Sequence, residues 1–203
     1  MKKILSAFLF VSYSSISQTS LLFIGNTEPL CVVSDSTITV EIAQSLPQMI
    51  EHFDAIFIFS GAVSSLNSKE VDALILYVKN GKGLYCGAEN EPLQQEFHQI
   101  STFLFSKSVW GNFTNQTAMV AEKSFIASAN GDSISTGETP VAVPLDARVK
   151  VEVWVDDEPL MTSFELEKGK IVFDGGYSRF YCPQMMENKA VFESIVRYLT
   201  TSK

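Results

Sequence analysis

Two kinds of hydrophobic pattern alternate along the chain. Ser20-Leu-Leu-Phe-Ile-Gly25 and Asp54-Ala-Ile-Phe-Ile-Phe-Ser60 are apolar on both parities, and each runs into a glycine, Gly25 or Gly61. Such runs predict strands buried on both faces, as in a parallel sheet covered by helices. Ile38, Val40 and Ile42 share one parity, which predicts a strand over 37–43. Leu46 to Phe53, with Pro47 in its first turn, predicts a short helix. Asn67 stands three residues before Glu70, the spacing of a capping box. Val71, Leu74, Ile75 and Val78 then fall at i, i+3, i+4 and i+7, one apolar helix face, and Gly81 stops that helix. Leu84-Tyr85-Cys86 before Gly87 is a short strand, so the unit predicts a right-handed strand–helix–strand crossover.

Pro92 opens another predicted helix, with Leu93, Phe97, Ile100 and Leu104 on one face. Residues 106–147 hold only short apolar pieces among Gly and Asn, and predict short strands and loops. Alternation then becomes strict, with Val149, Val151, Val153 and Val155 set against Lys150, Glu152, Trp154 and Asp156. That is a half-buried strand. Leu160, Thr162, Phe164 and Leu166 return it, and Lys168-Gly169 turns into Ile171-Val172-Phe173. Val191, Phe192, Ile195 and Leu199 mark a last helix, starting near Asn188. The expected fold is a single three-layer α/β/α domain over 18–203. Its sheet is largely parallel, with an antiparallel hairpin extension from 149 to 173 near the C-terminus.

The first residues change the compartment. Lys2 and Lys3 precede an apolar stretch from Ile4 to Val11, followed by Ser12-Tyr13-Ser14-Ser15-Ile16-Ser17. This is the order of a secretory signal peptide over 1–17, cut before Gln18, and predicts an exported, periplasmic or extracellular protein. The apolar stretch is too short to span a bilayer, and no other stretch approaches the required length, so no transmembrane span is expected. Cys31, Cys86 and Cys182 allow at most one internal disulfide and leave the pairing open. Their spacing fits no zinc pattern, and His52 and His98 are the only histidines, so no metal site is expected. The net charge of −8, which becomes −10 without Lys2 and Lys3, disfavours nucleic acid. Gly81-Lys82-Gly83 precedes a strand, the wrong order for a phosphate loop, and no cofactor is expected.

Three stretches together resemble the class I glutamine amidotransferase-like superfamily, which has a flavodoxin-like α/β/α fold. They are Phe53 to Gly61, Leu66 to Leu84 with its Tyr77-Val78-Lys79-Asn80-Gly81-Lys82-Gly83 ending, and Glu158 to Gly175. Catalytic relatives place a nucleophilic Cys in an elbow flanked by Gly on both sides, with a His-x-Glu pair after a late strand. Cys86 has only the following Gly87, and Phe173-Asp174-Gly175-Gly176-Tyr177-Ser178-Arg179 has no His. The resemblance therefore implies a non-catalytic, exported member with a binding or assembly role toward an unidentified protein or small-molecule partner. Two alternatives stay open. One is a hydrolase or amidase using Cys86, with His98 or an acid as base. The other is a carbohydrate-binding protein, implied only by likeness to trehalose-utilisation-type relatives.

Ligands of open parallel sheets bind beyond the carboxyl ends of the strands. Those ends supply Asn26, Ser60, Gly61, Gly87, Glu89, Asn90, Asp174, Gly175, Tyr177 and Arg179 as candidate binding residues. Glycines there would allow close backbone approach, and the polar side chains would supply contacts.

Overall fold

The computed structural model describes residues 18–31, 34–59, 66–88, 106–114, 116–126, 133–136, 138–144, 146–182 and 184–201. In chain order the elements are β1 (Thr19–Gly25), β2 (Ile38–Ala43), β3 (Ala55–Phe59), α1 (Ser68–Lys79), β4 (Gly83–Gly87), β5 (Ser106–Thr114), β6 (Thr117–Val120), β7 (Ser133–Ser135), β8 (Glu138–Pro144), β9 (Lys150–Val155), β10 (Glu158–Leu166), β11 (Gly169–Asp174) and α2 (Met185–Thr200). One nine-stranded sheet runs β2-β1-β3-β4-β11-β10-β9-β6-β7, and β5 pairs with β8 separately. The five strands from β2 to β11 are mutually parallel. From β11 outward through β10, β9, β6 and β7 every pairing is antiparallel.

The doubly apolar runs are explained by the two helices. Leu22, Ile24, Ile56, Ile58, Leu84 and Cys86 pack with Val71, Leu74, Ile75 and Val78 of α1. The alternate residues Leu21, Phe23, Phe57, Phe59 and Tyr85 pack with Val191, Phe192, Ile195 and Leu199 of α2. Successive strand residues point to opposite faces, so the central strands must be apolar at every position. Each such side chain taken out of water contributes about 1.5–3 kcal/mol. On the α2 side the core is aromatic, with Phe57 at 4.9 Å from Tyr85, 5.1 Å from Phe23 and 5.6 Å from Phe192 between ring centroids.

Local signals set the ends of α1. Asn67 Oδ1 accepts from the Lys69 and Glu70 amides at 3.0 and 3.1 Å, and the Asn67 amide donates to Glu70 Oε2 at 2.7 Å. This reciprocal box satisfies otherwise orphaned helix donors. Gly81, at φ 104°, takes the left-handed turn that leads into β4.

Cys31 and Cys182 form a disulfide, with Cα atoms 5.2 Å apart and 151 positions of sequence between them. The backbone around the bond is also paired. The Cys31 amide donates to Phe180 O at 3.2 Å and the Cys182 amide to Pro29 O at 3.0 Å. Cys86 is left as a free, buried thiol.

Four expectations need correction. Residues 46–53 form an irregular stretch with a turn at 51–52, not a helix. Eight residues with a proline among them do not offset the cost of nucleation. Ile50 and Phe53 are buried all the same, held by a Phe53 N–H to Ile50 O bond. The last helix starts at Met185, three residues before Asn188. Glu152 is buried rather than exposed, because register shifts in the β9–β10 pairing break the strict alternation, and Ser163 Oγ donates to its carboxylate. Finally, β11 lies inside the parallel block beside β4, and the outer antiparallel edge is β7, so the extension is not the 149–173 hairpin alone. The signal sequence expected over 1–17, and the helix expected from Pro92 to Leu104 with His98, lie outside the described residues. Among the described residues no helix is long and apolar enough to cross a membrane.

Candidate functional site

The parallel strands β3, β4 and β11 end side by side, with Phe59 opposite Gly87 and Gly87 opposite Asp174. Asp174 is the last residue of β11 and is fully buried. Its Oδ2 accepts from Tyr85 Oη at 2.7 Å and from Arg179 Nη1 at 2.6 Å, and its Oδ1 accepts from the Gly176 amide at 3.0 Å. Arg179 sits on a short 3-10 turn, Tyr177–Phe180, and is 1% exposed. Its other two nitrogens are also used. Nε donates to Ser135 O at 2.9 Å and Nη2 to Thr136 O at 3.0 Å. A buried ion pair survives desolvation only with such added hydrogen bonds. Burial, and then the neighbouring Asp174 charge, push the Tyr85 hydroxyl well above the usual tyrosine range.

Beside this network, Asn26 Nδ2 donates to Tyr177 Oη at 3.2 Å and to Tyr181 Oη at 3.3 Å. Asn26 is half-buried, and its amide is tied to Phe59 O at 3.1 Å. Gly87 is required by a close approach. A Cβ there would lie 2.8 Å from Tyr85 Cε1 and 3.0 Å from Tyr177 Cβ. The Gly175 amide donates to Leu160 O at 2.9 Å. The structure thus brings Asn26, Gly87, Asp174, Gly175, Tyr177 and Arg179 to one end of the sheet. Ser60, Gly61, Glu89, Asn90 and His98 lie outside the described residues.

Cys86 belongs to the opposite face. It is fully buried with Ile58, Phe173 and Leu74 on the α1 side, away from the Tyr85–Asp174–Arg179 network. Burial alone pushes its thiol up, which disfavours the thiolate that nucleophilic attack needs. Among the described residues no group of three or more His, Cys, Asp or Glu is placed to hold a metal ion.

Sequence reasoning missed Tyr85, Tyr181 and the Ser135 and Thr136 carbonyls as partners of these groups. One signal was present. A tyrosine inside a doubly buried strand needs a hydrogen-bond partner for its hydroxyl, and Asp174 ends the neighbouring strand.

No family model matches the sequence, and no curated protein matches it. Solved structures do match in fold. The mmIFT52 N-terminal domain is 10% identical with a TM-score of 0.67, over 90% of this chain and 98% of that one. The cytoplasmic protein STM1381 from Salmonella typhimurium LT2 is 14% identical with a TM-score of 0.63, over 88% and 98%. A ThuA-like protein from Bacteroides uniformis ATCC 8492 is 13% identical with a TM-score of 0.58, over 93% and 95%. Identities this low carry fold alone. The chain has the α/β fold of ThuA-like proteins, a class I glutamine amidotransferase-like fold.

Proposed function

We propose that this chain is an exported, non-enzymatic binding or assembly domain on an amidotransferase-like scaffold, with α1 and α2 as the outer layers of a three-layer domain. The observation that carries the reading is the state of Cys86. The one candidate nucleophile is a fully buried thiol among apolar side chains, with its proton held on by desolvation. The charged residues at the strand ends support the same reading, because Asp174 and Arg179 spend their charges on each other. Export is supported by the Cys31–Cys182 disulfide, a bond that persists in oxidising compartments, together with the signal-like pattern of residues 1–17.

Timed alkylation of native protein purified from the periplasm tests this, read by intact mass and peptide mapping. The expected mass begins at Gln18. Cys86 stays unmodified at neutral pH and reacts only in denaturant, and Cys31 and Cys182 react only after reduction. Fast, selective alkylation of Cys86 in the native protein would overturn the reading and favour a Cys86-dependent hydrolase.

A further inference from the structure

A slot of about 170 Å3 opens between the C-terminal half of α1 and the irregular stretch that precedes β3. Local rules build it. Ala73, Leu76 and Asn80 fall at i, i+3 and i+7, one strip along the outer side of α1. Ala73 is too small to close the gap, and Leu76, 59% exposed, stands as one wall. Pro47 and Ile50 supply apolar surface from the preceding stretch. The Tyr77 ring completes the lining and is fixed by its Oη, which donates to Phe53 O at 3.0 Å.

One end of the slot is charged. Lys82 and Glu51 line it together with the Asn80 amide. The Lys82 ammonium donates to Asp54 Oδ1 at 3.4 Å, and Asp54 Oδ2 accepts from the Ser20 amide at 2.9 Å, so an anchored carboxylate steers the cation. An ammonium has three donors, and this contact uses one. Glu51 Oε2 accepts from the Ile50 amide at 3.0 Å, which tethers the anion. Burial, and then the Asp54 and Glu51 charges, push the Tyr77 hydroxyl up, so both carboxylates stand toward the hydroxyl end of that ring.

The slot thus presents a cation, an anion and an amide at one end, with an apolar body beyond them. An α-amino acid has the complementary layout. Its carboxylate and ammonium share one carbon, and its side chain leads away from both. The carboxylate accepts from Lys82 and from the Asn80 amide, and the ammonium donates to Glu51. A cavity of about 150 Å3 takes a benzene ring, so this one accepts a single side chain of leucine size. A side chain ending in an amide or a charge would be desolvated against Pro47, Ile50 and Leu76.

We infer that this slot binds a free α-amino acid with an apolar side chain of leucine size. The inference rests on the binding reading above and gives it a ligand class. Fast alkylation of Cys86 would overturn that reading whatever leucine does, and a silent leucine titration would overturn this inference with Cys86 still inert. The experiment is an amide-resolved NMR titration of the full mature chain with leucine, with isocaproate, isoamylamine and glutamine in separate arms. Isocaproate lacks the ammonium, isoamylamine the carboxylate and glutamine the apolar side chain. The charged partners are in part exposed to water, so binding in the millimolar range is expected. Leucine is expected to shift the amides of 48–51 and 73–80, and each analogue to bind at least roughly threefold more weakly. Glu51→Gln and Lys82→Met are expected to weaken leucine binding to a similar degree. Ala73→Leu, at an exposed helix position, fills the slot and is expected to abolish binding with the fold intact. The remote Glu122→Gln leaves it unchanged. No leucine response at these amides overturns the inference, as does an analogue that binds as tightly as leucine, or an undiminished response in Ala73→Leu.

Discussion

Replacing Arg179 with Met tests the network at the strand ends most directly. The methionine keeps most of the apolar stem and removes the guanidinium, which holds Asp174 at 2.6 Å and the Ser135 and Thr136 carbonyls at 2.9 and 3.0 Å. Asp174 then stays in a fully buried position with only Tyr85 and the Gly176 amide as donors. Breaking a buried pair by removing one partner costs about 3–5 kcal/mol, because the other charge is left buried and uncompensated. A loss of about 4 kcal/mol lowers the urea midpoint by about 2 M for a chain of this size. Asp174→Asn/Arg179→Met, with neither charge, is expected to recover at least half the loss. Tyr85→Phe, which removes one donor, is expected to cost about 1–2 kcal/mol and serves if the first variant does not fold. Urea denaturation followed by circular dichroism at pH 7 reads all four proteins. A deficit below about 1 kcal/mol, or no recovery in the double variant, refutes the reasoning.

Two further outcomes follow from burial and the covalent bond. Cys86, Tyr77 and Tyr85 all have their pKa raised chiefly by burial, so folding favours their protonated forms. Their contribution is intact below the unfolded pKa values and is lost as pH rises. Stability is expected to fall by about 1.4 kcal/mol per unit above about pH 9, more steeply above about pH 10, with the first limb absent in Cys86→Ala. A flat urea midpoint from pH 8 to 11 would contradict this. Cys31→Ser/Cys182→Ser opens a loop of 151 positions, and chain entropy sets the loss at no more than about 5 kcal/mol. A loss below about 1 kcal/mol in calorimetry would mean that the bond constrains little.

The α/β class and the amidotransferase-like fold were legible because their signals are local. Asn67, Glu70, the 71–74–75–78 stripe and Gly81 specify α1 within fifteen residues, and both parities of β1 and β3 declare a doubly covered sheet. The candidate site was legible only in outline, since strand ends are predictable and their partners are not. Tyr85 meets Asp174 across 89 positions and Asn26 meets Tyr177 across 151. No pattern in the sequence pairs them. β6 and β7 are four and three residues long, too short for a period of two to register, and they exist because β9 offers an edge to pair with. Glu152 misled for a related reason. A bulge changes which parity faces inward, and it depends on the partner strand.

The Cys31–Cys182 bond has a topological consequence. It turns most of the chain into a closed ring, and leaves β1 and α2 as two tails that leave it at the same point. The tails then pack on each other, with the Phe23 and Phe192 rings 6.1 Å apart. A protease that cuts any loop between residues 31 and 182 linearises the ring without releasing a fragment. The nicked molecule keeps its full mass, plus one water, until reductant is added. Among proteases, such a chain can be cut once and remain a single particle with its core in place.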